Sequence, residues 1–157
     1  LGKTLTPGPA CPPISILKLD HNAFGSDGLK NLAVGIKENL FLKTLSLTYC
    51  DIDQHGARSL MEVLIFSKSL MEELILTGNQ LRNEGAKIVL SGVSIAKNLK
   101  KIHLADNNFN EEEDMLESIK TCMDRNKTLA KYDFRNNDLK DAGKYFIIKV
   151  AKLLFLF

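Results

Sequence analysis

Five segments of the chain repeat one arrangement of apolar residues. Each has an apolar residue, a second one three positions later and a third two positions after that, so the last two flank a single residue. Alternation of this kind predicts a short strand whose apolar side chains point to one face. The flanking pairs are Leu17/Leu19, Leu45/Leu47, Leu74/Leu76, Ile102/Leu104 and Tyr132/Phe134.

The spacing between these strands is nearly constant. From Leu19 to Leu47, Leu76, Leu104 and Phe134 the steps are 28, 29, 28 and 30 residues, which indicates a solenoid of stacked repeats. An asparagine follows four of the strands, where its amide can satisfy backbone groups of a buried turn. The resulting ladder, with a small apolar cysteine as its second member, is Asn22, Cys50, Asn79, Asn107 and Asn137.

The second half of each repeat has helical spacing. Glycine recurs at positions 28, 56, 85 and 143, and apolar residues follow it every three or four positions. Repeat four differs, because Glu113 stands at the glycine position and the apolar stripe is Leu116, Ile119 and Met123. We expect an insertion of about two residues in the loop before this helix, where solenoids tolerate changes of length.

This arrangement resembles the ribonuclease-inhibitor-like class of leucine-rich repeat proteins. The resemblance implies an α/β leucine-rich repeat solenoid, a horseshoe of about five strand–helix repeats with parallel strands on the concave face. Relatives of this class include inhibitor proteins, Ran GTPase-activating proteins, the sensor halves of NOD-like receptors, and cytoskeletal or ciliary scaffolds.

The domain organisation follows from the repeats. Residues 1–13 contain all four prolines of the chain, and proline is excluded from helix interiors and central strands, so we expect an irregular lead-in. Residues 14–157 are then the leucine-rich repeat domain, with repeats that start near residues 14, 42, 71, 99 and 129.

The strand register assigns a set of side chains to the concave face. Horseshoes of the class that this chain resembles commonly bind proteins there. Tyr49 is a candidate anchor, because tyrosine is favoured at the centres of interfaces. The predicted interaction surface is Lys18, Asp20, Tyr49, Glu73, Ile75, Lys101, His103, Lys131, Asp133 and Arg135.

The sequence closes on apolar residues, although terminal repeats of solenoids normally have a polar outer face. Large exposed apolar patches mark interfaces, so these residues are a second candidate surface. Three arrangements remain open: the segment folds back as a cap, further repeats follow, or a partner protein covers it. The predicted end interface is Leu153, Leu154, Phe155, Leu156 and Phe157.

Composition and motifs argue against other functions. The chain is 45% apolar and 25% charged with a net charge of +2, which does not indicate nucleic-acid binding. It has neither a phosphate-binding glycine loop nor a paired-histidine zinc motif, so we expect no enzyme activity, catalytic residue, cofactor or metal.

Cys11, Cys50 and Cys122 are widely spaced, which favours free thiols in a reducing compartment. No apolar run is long enough to span a membrane, and no membrane partner is expected.

Two short motifs have alternative interpretations. The acidic run 111–114 either stabilises the start of a helix through the macrodipole or forms a docking site. Asn126-Lys127-Thr128 is a formal glycosylation sequon, which would matter only in a secreted protein.

These features together predict a non-catalytic protein-interaction scaffold or adaptor in the cytoplasm, in a cytoskeletal or ciliary assembly. The partner is a protein of unidentified kind, and the chain is either a fragment of a longer array or a member of a multi-protein complex. One alternative is the ligand-sensing segment of a NOD-like receptor, because Cys50 resembles the alternating Asn/Cys repeats of that family. The other is a regulator of a small GTPase, by analogy with the Ran activators.

Overall fold

The computed structural model describes residues 5, 6, 8, 12–37, 39–66 and 68–154, with side chains up to residue 148. Strands of three residues alternate with helices throughout this range. The strands are β1 (Ile16–Lys18), β2 (Thr44–Ser46), β3 (Glu73–Ile75), β4 (Lys101–His103) and β5 (Lys131–Asp133), and the helices are α1 (Gly25–Ile36), α2 (Ala57–Ile65), α3 (Arg82–Ile95), α4 (Glu113–Arg125) and α5 (Asp141–Leu154).

The five strands form one parallel sheet in chain order, β1 to β5. Its register aligns the first member of each apolar pair across the whole sheet: Leu17, Leu45, Leu74, Ile102 and Tyr132. Each of the helices α1 to α4 connects one strand to its parallel neighbour, as this topology requires. The predicted α/β leucine-rich repeat solenoid is confirmed.

The core is most complete in the central repeats. Leu45, Leu74 and Ile102 are at most 1% exposed, whereas Leu17 and Tyr132 in the two outer strands are only partly buried. A repeat contacts only its neighbours, so an outer repeat lacks half of the contacts that bury a central one.

The asparagine ladder connects one repeat to the next. The Nδ2 of Asn79 donates to the backbone oxygens of Leu47 and Leu76, at 2.8 and 2.9 Å. Its Oδ1 accepts the backbone N–H groups of Cys50 and Ile52, at 3.1 and 3.0 Å. Its Nδ2 also lies 3.5 Å from the Thr77 oxygen, so one side chain contacts five backbone groups of two turns.

The first two members of the ladder make fewer bonds. Asn22 is exposed, and its amide donates only to the oxygens of Leu19 and Asp20 in its own repeat. Cys50 is fully buried, and its thiol donates to the backbone oxygen of Leu19 at 3.2 Å. The thiol also lies 3.5 Å from the Thr48 oxygen, so the cysteine has counterparts of two contacts that Asn79 makes, those with the oxygens of Leu47 and Thr77.

Close packing explains the recurring glycines. A Cβ at Gly56 would lie 2.8 Å from side-chain atoms of Ile52 and Ser26, and one at Gly85 would lie 3.0 Å from the backbone of Gln54.

In repeat four the expected apolar stripe needs a correction. Met115 is fully buried in the first turn of α4, and Leu116 is only partly buried.

A second set of asparagines lies where helices lead into strands. Asn126 is 6% exposed; its Nδ2 donates to the oxygens of Val93 and Ala96, and its Oδ1 accepts the N–H groups of Thr128 and Leu129. The sequon at this position is therefore formed around a buried, fully bonded amide.

Asn39 has the same position in the first repeat. Its Nδ2 donates to the backbone oxygen of Leu5 at 3.0 Å, and the Leu5 side chain is buried in the core. Part of the predicted lead-in therefore packs against the first repeat. The domain boundary at residue 14 stays a prediction.

Candidate protein-interaction surface

The strands contain seven of the ten predicted interaction residues, at the positions that flank the core-facing one and so point away from the core: Lys18, Glu73, Ile75, Lys101, His103, Lys131 and Asp133. The other three, Asp20, Tyr49 and Arg135, follow the ends of their strands. The accessibility of the ten differs from one residue to the next. Lys18, Tyr49, Lys101, Lys131 and Arg135 are exposed, and four others are intermediate: Asp20, Glu73, Ile75 and His103. The tenth is Asp133, which is only 7% exposed.

Asp133 is buried because it is the acceptor of a bidentate ion pair. The Nε of Arg135 donates to its Oδ1 and an Arg135 Nη atom to its Oδ2, both at 2.8 Å. The Arg135 guanidinium therefore lowers the pKa of Asp133 to about 2. The expectation that Asp133 itself would be an accessible contact is corrected: it positions Arg135, which remains exposed.

An ionic row crosses the last three strands. The Nε2 of His103 lies 3.1 Å from Glu73 Oε1, and its Nδ1 lies 3.7 Å from Asp133 Oδ2. Lys101 Nζ is 3.6 Å from the same Glu73 oxygen. Lys101 and Arg135 in this part of the surface are thus each paired with a neighbouring carboxylate, whereas Lys131 forms no ion pair with a described residue.

Asp20 organises the other end of the face. Its Oδ1 accepts the Ser46 hydroxyl at 2.5 Å and the Thr48 backbone N–H at 2.8 Å. Burial acts to raise the pKa of Asp20, but these hydrogen bonds outweigh it and the pKa is lowered. Asp20 therefore stays ionised and fixes the loop that leads to Tyr49.

Tyr49 sits at a repeat position where the backbone turns left-handed. Its φ is 51°, and the residues at the same position of the other repeats also have positive φ: His21, Gly78, Asp106 and Asn136. These residues follow the concave strands directly, so they form a row along one rim of the face. A common turn thus sets the direction of five side-chain positions.

Contacts from the repeats on both sides hold the Tyr49 ring in place. Its hydroxyl donates to Oδ2 of Asp106 at 3.0 Å, and its ring stacks on His21 with centroids 5.2 Å apart. A Cβ at Gly78 would collide with the ring, so the glycine provides the seat on which it lies. The hydrogen bond to Asp106 raises the pKa of Tyr49.

Gly78 and Asp106 were not among the predicted interaction residues. The available signal was their shared repeat position with Tyr49, which places them in the same row. The reach of the tyrosine over two repeats could not be derived from that position, because it depends on the rotamer of Tyr49.

The acidic run is engaged within the solenoid. Glu111 Oε2 accepts the Gly143 N–H at 2.9 Å, Glu112 accepts the Asn83 amide at 2.8 Å, and Asp114 pairs with Lys87 at 2.6 Å. These contacts join repeat four to both neighbours. They favour a structural role for the run over a docking site.

A cavity of about 360 Å³ lies between β5 and α5, lined by apolar groups of Tyr132, Phe134, Leu139, Ile147 and Ile148. The predicted end interface cannot be placed here: Phe155, Leu156 and Phe157 lie outside the described residues, as do the side chains of Leu153 and Leu154.

Among the residues that the structure describes, no group of three or more His, Cys, Asp or Glu side chains could hold a metal ion. Cys50 and Cys122 are free and buried, and burial raises the pKa of the Cys122 thiol to about 12. Within the same described ranges, the helices are all too short or too polar to cross a bilayer.

Sequence comparisons identify the repeats. A family model described as Leucine Rich repeat matches residues 10–33, 38–61 and 67–87. Ribonuclease inhibitor from Sus scrofa is 40% identical over 74 residues, which is 46% of this chain and 16% of the relative. NACHT, LRR and PYD domains-containing protein 12 from Mus musculus is 31% identical over 134 residues, 81% of this chain and 12% of the relative. The chain thus spans less than a fifth of the length of these relatives.

Solved structures share the fold over nearly the whole chain. Leiomodin-1 Actin-Binding Site 2 has a TM-score of 0.71 at 14% identity and covers 96% of this chain and 91% of its own. The Caenorhabditis elegans tropomodulin C-terminal domain has a TM-score of 0.74 at 12% identity, with 90% and 84% covered. The repeat sequence, the sheet register and the similarity to ribonuclease inhibitors agree. The chain belongs to the leucine-rich repeat proteins of the ribonuclease-inhibitor-like class.

Proposed function

We propose that this protein is a non-catalytic interaction module that binds a partner protein on its concave face, with Tyr49 as the anchor. Leucine-rich repeats imply protein–protein interaction in general. The observation that carries the specific proposal is the state of Tyr49: its side chain is fixed at both ends yet 46% exposed.

A fixed aromatic side chain is well suited to binding. An exposed tyrosine usually loses rotamer freedom when a partner covers it, and this loss opposes association. The stacking on His21 and the hydrogen bond to Asp106 have already removed much of that freedom. Aromatic residues that present rigid apolar area with a polar tip are enriched among the residues that dominate binding energy.

The polar groups around Tyr49 indicate what the partner presents. Asp20 and Asp106 are carboxylates on the same rim, and exposed Asp51 follows the ladder cysteine. A partner that places a lysine or arginine beside an apolar group would satisfy both the ring and these carboxylates.

Photocrosslinking from the two exposed tyrosines tests this proposal. A benzoylphenylalanine is introduced at Tyr49 in one variant and at Tyr145 on α5 in the other, since Tyr145 is 70% exposed but lies outside the concave face. In an extract of the source cells, we expect a discrete crosslinked partner from position 49 and none from position 145. Equal yields of the same partner from both positions would count against a concave site.

A cytoskeletal setting is a second part of the proposal. It is favoured by the fold likeness over 96% of the chain to a protein whose description names an actin-binding site. Co-sedimentation with filamentous actin tests it, with the Tyr49→Ala and Tyr145→Ala variants as matched controls. Retention of the protein in the supernatant at all filament concentrations would remove actin from consideration. The ciliary and cytoplasmic locations stay predictions.

The NOD-like receptor alternative has its own support. Two relatives are NACHT, LRR and PYD domains-containing proteins, from Homo sapiens at 37% identity over 76 residues and from Mus musculus. A transcript that joins these repeats to a nucleotide-binding module would favour this alternative over a free-standing scaffold. The GTPase-regulator alternative stays a prediction, to be tested by the rate of GTP hydrolysis of a Ran-like protein.

A further inference from the structure

A second surface runs along the edge where each helix ends and the next strand begins, away from the concave rim that carries Tyr49. Among the described residues, ten large apolar side chains are well exposed, and five of them lie on this edge. Their exposed fractions range from 41% to 51%, so each is partly seated in the surface. The five are Leu40, Phe41, Ile65, Leu70 and Ile95.

Repeat position places the centre of this patch. Phe41 and Leu70 each precede the first apolar residue of their motif, and the register of β2 against β3 makes them neighbours. Lys97 and Lys127 occupy the position that Leu40 has in its own repeat. Adjacent parallel strands are about 4.8 Å apart, so apolar residues give way to lysines within about 15 Å along the edge.

Three exposed lysines of this edge are not neutralised by an ion pair among the described residues. Lys68, Lys97 and Lys127 are exposed, and none forms an ion pair with a carboxylate of the described residues. Lys127 donates only to a backbone oxygen, that of Asp124, at 2.6 Å. We call the five apolar residues and these three lysines the basic–apolar edge.

Two carboxylates near this edge, among the residues that the structure describes, are already occupied by ion pairs. Glu62 pairs with Lys37 at 3.6 Å. Glu72 pairs with Lys43 and Lys100, at 3.5 and 2.7 Å. These two carboxylates are therefore not the partners of Lys68, Lys97 and Lys127, whose charges are unpaired among the described residues.

The opposite edge, where strands lead into helices, has the opposite character. It carries a series of exposed carboxylates: Asp51, Glu84, Glu112, Glu113, Asp138 and Asp141. The net charge of +2 is a sum over the whole chain, so it does not show that these two edges are opposite in sign. An anionic partner is attracted to one edge and repelled by the other, which fixes its site and orientation.

We propose that the basic–apolar edge binds an acidic protein segment that carries leucine or phenylalanine side chains. Its apolar side chains pack on Phe41 and Leu70, and its carboxylates pair with Lys68, Lys97 and Lys127. The span of about 15 Å matches about ten residues of helix, which defines the size of the segment. The partial burial of the apolar residues favours a shaped protein segment over a lipid bilayer. This surface is separate from the concave site.

Selection from a phage-displayed library of random 12-residue peptides, on the full chain, tests this proposal. We expect the enriched peptides to combine aspartate or glutamate with leucine or phenylalanine. The edge variant reverses Lys68, Lys97 and Lys127 to glutamate, and should weaken binding of a selected peptide by at least about tenfold. The Phe41→Ser variant should weaken the same peptide, whereas Tyr49→Ala should not.

A matched control separates this edge from overall charge. The control variant reverses three other exposed basic residues, Lys30 in the middle of α1, Arg58 at the start of α2 and Lys140 just before α5, and changes the net charge by the same amount. It should weaken binding by less than about threefold. Equal effects of the two variants, peptides without acidic or apolar residues, or no enrichment at all would overturn the proposal. Binding to phosphatidylserine vesicles that only the edge variant abolishes, without peptide enrichment, would overturn it in favour of a membrane surface.

Discussion

At the scale of single residues, one buried side-chain amide satisfies the backbone groups of two adjacent turns. Asn79 contacts five backbone groups in two adjacent repeats and is 2% exposed. Asn22 has the same position in the first repeat, but it bonds only within that repeat and is exposed. The pair shows that the contribution of a ladder residue depends on its neighbours as much as on its identity.

This contrast gives a prediction for stability. The Asn79→Ala substitution leaves buried N–H and C=O groups without partners and should lower the free energy of unfolding by about 2 to 4 kcal/mol. The Asn22→Ala substitution should cost about 0.5 kcal/mol, because its backbone partners can bond to water. Urea denaturation followed by circular dichroism measures both values. Similar losses from the two variants would show that the ladder amides do not couple repeats.

Tyr49 offers a second test at this scale. The Asp106 carboxylate accepts the Tyr49 hydroxyl and raises the pKa of that tyrosine. We expect the Asp106→Asn variant to lower this pKa towards the ordinary value for tyrosine, since the asparagine carries no charge. NMR titration of the tyrosine ring carbons measures this change, and Tyr145 serves as the internal reference. An unchanged pKa for Tyr49 would mean that its hydroxyl is not held in solution.

At the scale of secondary-structure elements, periodicity determined most of what could be predicted. Alternation of apolar residues located all five strands, and their spacing placed Leu45 opposite Leu74 in the sheet. The same register correctly assigned Asp133 to the concave side but could not reveal that Arg135 covers it. Which residues share a face follows from backbone geometry, whereas burial and pairing depend on rotamers and on neighbours from other strands.

The ion pair on β5 predicts a dependence of stability on pH. Because the folded-state pKa of Asp133 is lowered from 3.8 to about 2, its stabilisation is present above pH 3.8 and is lost as the pH falls towards 2. The Arg135→Ala variant removes the main cause of this shift. Its deficit in urea midpoint relative to the wild type should therefore be greatest above pH 4 and should shrink near pH 2.

The neighbouring Lys131→Ala variant is the control for this measurement. Lys131 is exposed on the same strand and forms no ion pair with a described residue. Its difference from the wild type should stay constant between pH 6 and about pH 2, the range over which the Asp133 contribution is lost. A constant difference for Arg135→Ala as well would contradict the assigned pair.

At the scale of the whole molecule, stability is distributed unevenly along the solenoid. Leu74 and Leu17 have the same position in their repeats, but Leu74 is 1% exposed and Leu17 is only partly buried. The Leu74→Ala substitution should cost about 2 to 5 kcal/mol, the usual range for a buried leucine. The Leu17→Ala substitution should cost less than half of that, and equal costs measured by urea denaturation would contradict the uneven core.

The molecule also separates its surfaces by chemistry. The concave face is a network of hydrogen bonds and ion pairs around one fixed tyrosine, and the two edges are opposite in charge. The face that carries the proposed concave site could be predicted from the sequence. The fixed position of the Tyr49 ring on that face could not be predicted. It depends on the packing of the ring on Gly78 and on its hydrogen bond to Asp106, which are contacts between different repeats.

The affinity of the concave partner for three forms of the protein tests the central claim most directly. With the partner captured by crosslinking at position 49, titration calorimetry compares the wild type with Tyr49→Ala and Tyr145→Ala. We predict that Tyr49→Ala weakens binding by at least about 30-fold, as expected when an anchor residue is lost, and that Tyr145→Ala changes it by less than about twofold. Equal affinities for the wild type and Tyr49→Ala would contradict a concave binding site centred on Tyr49.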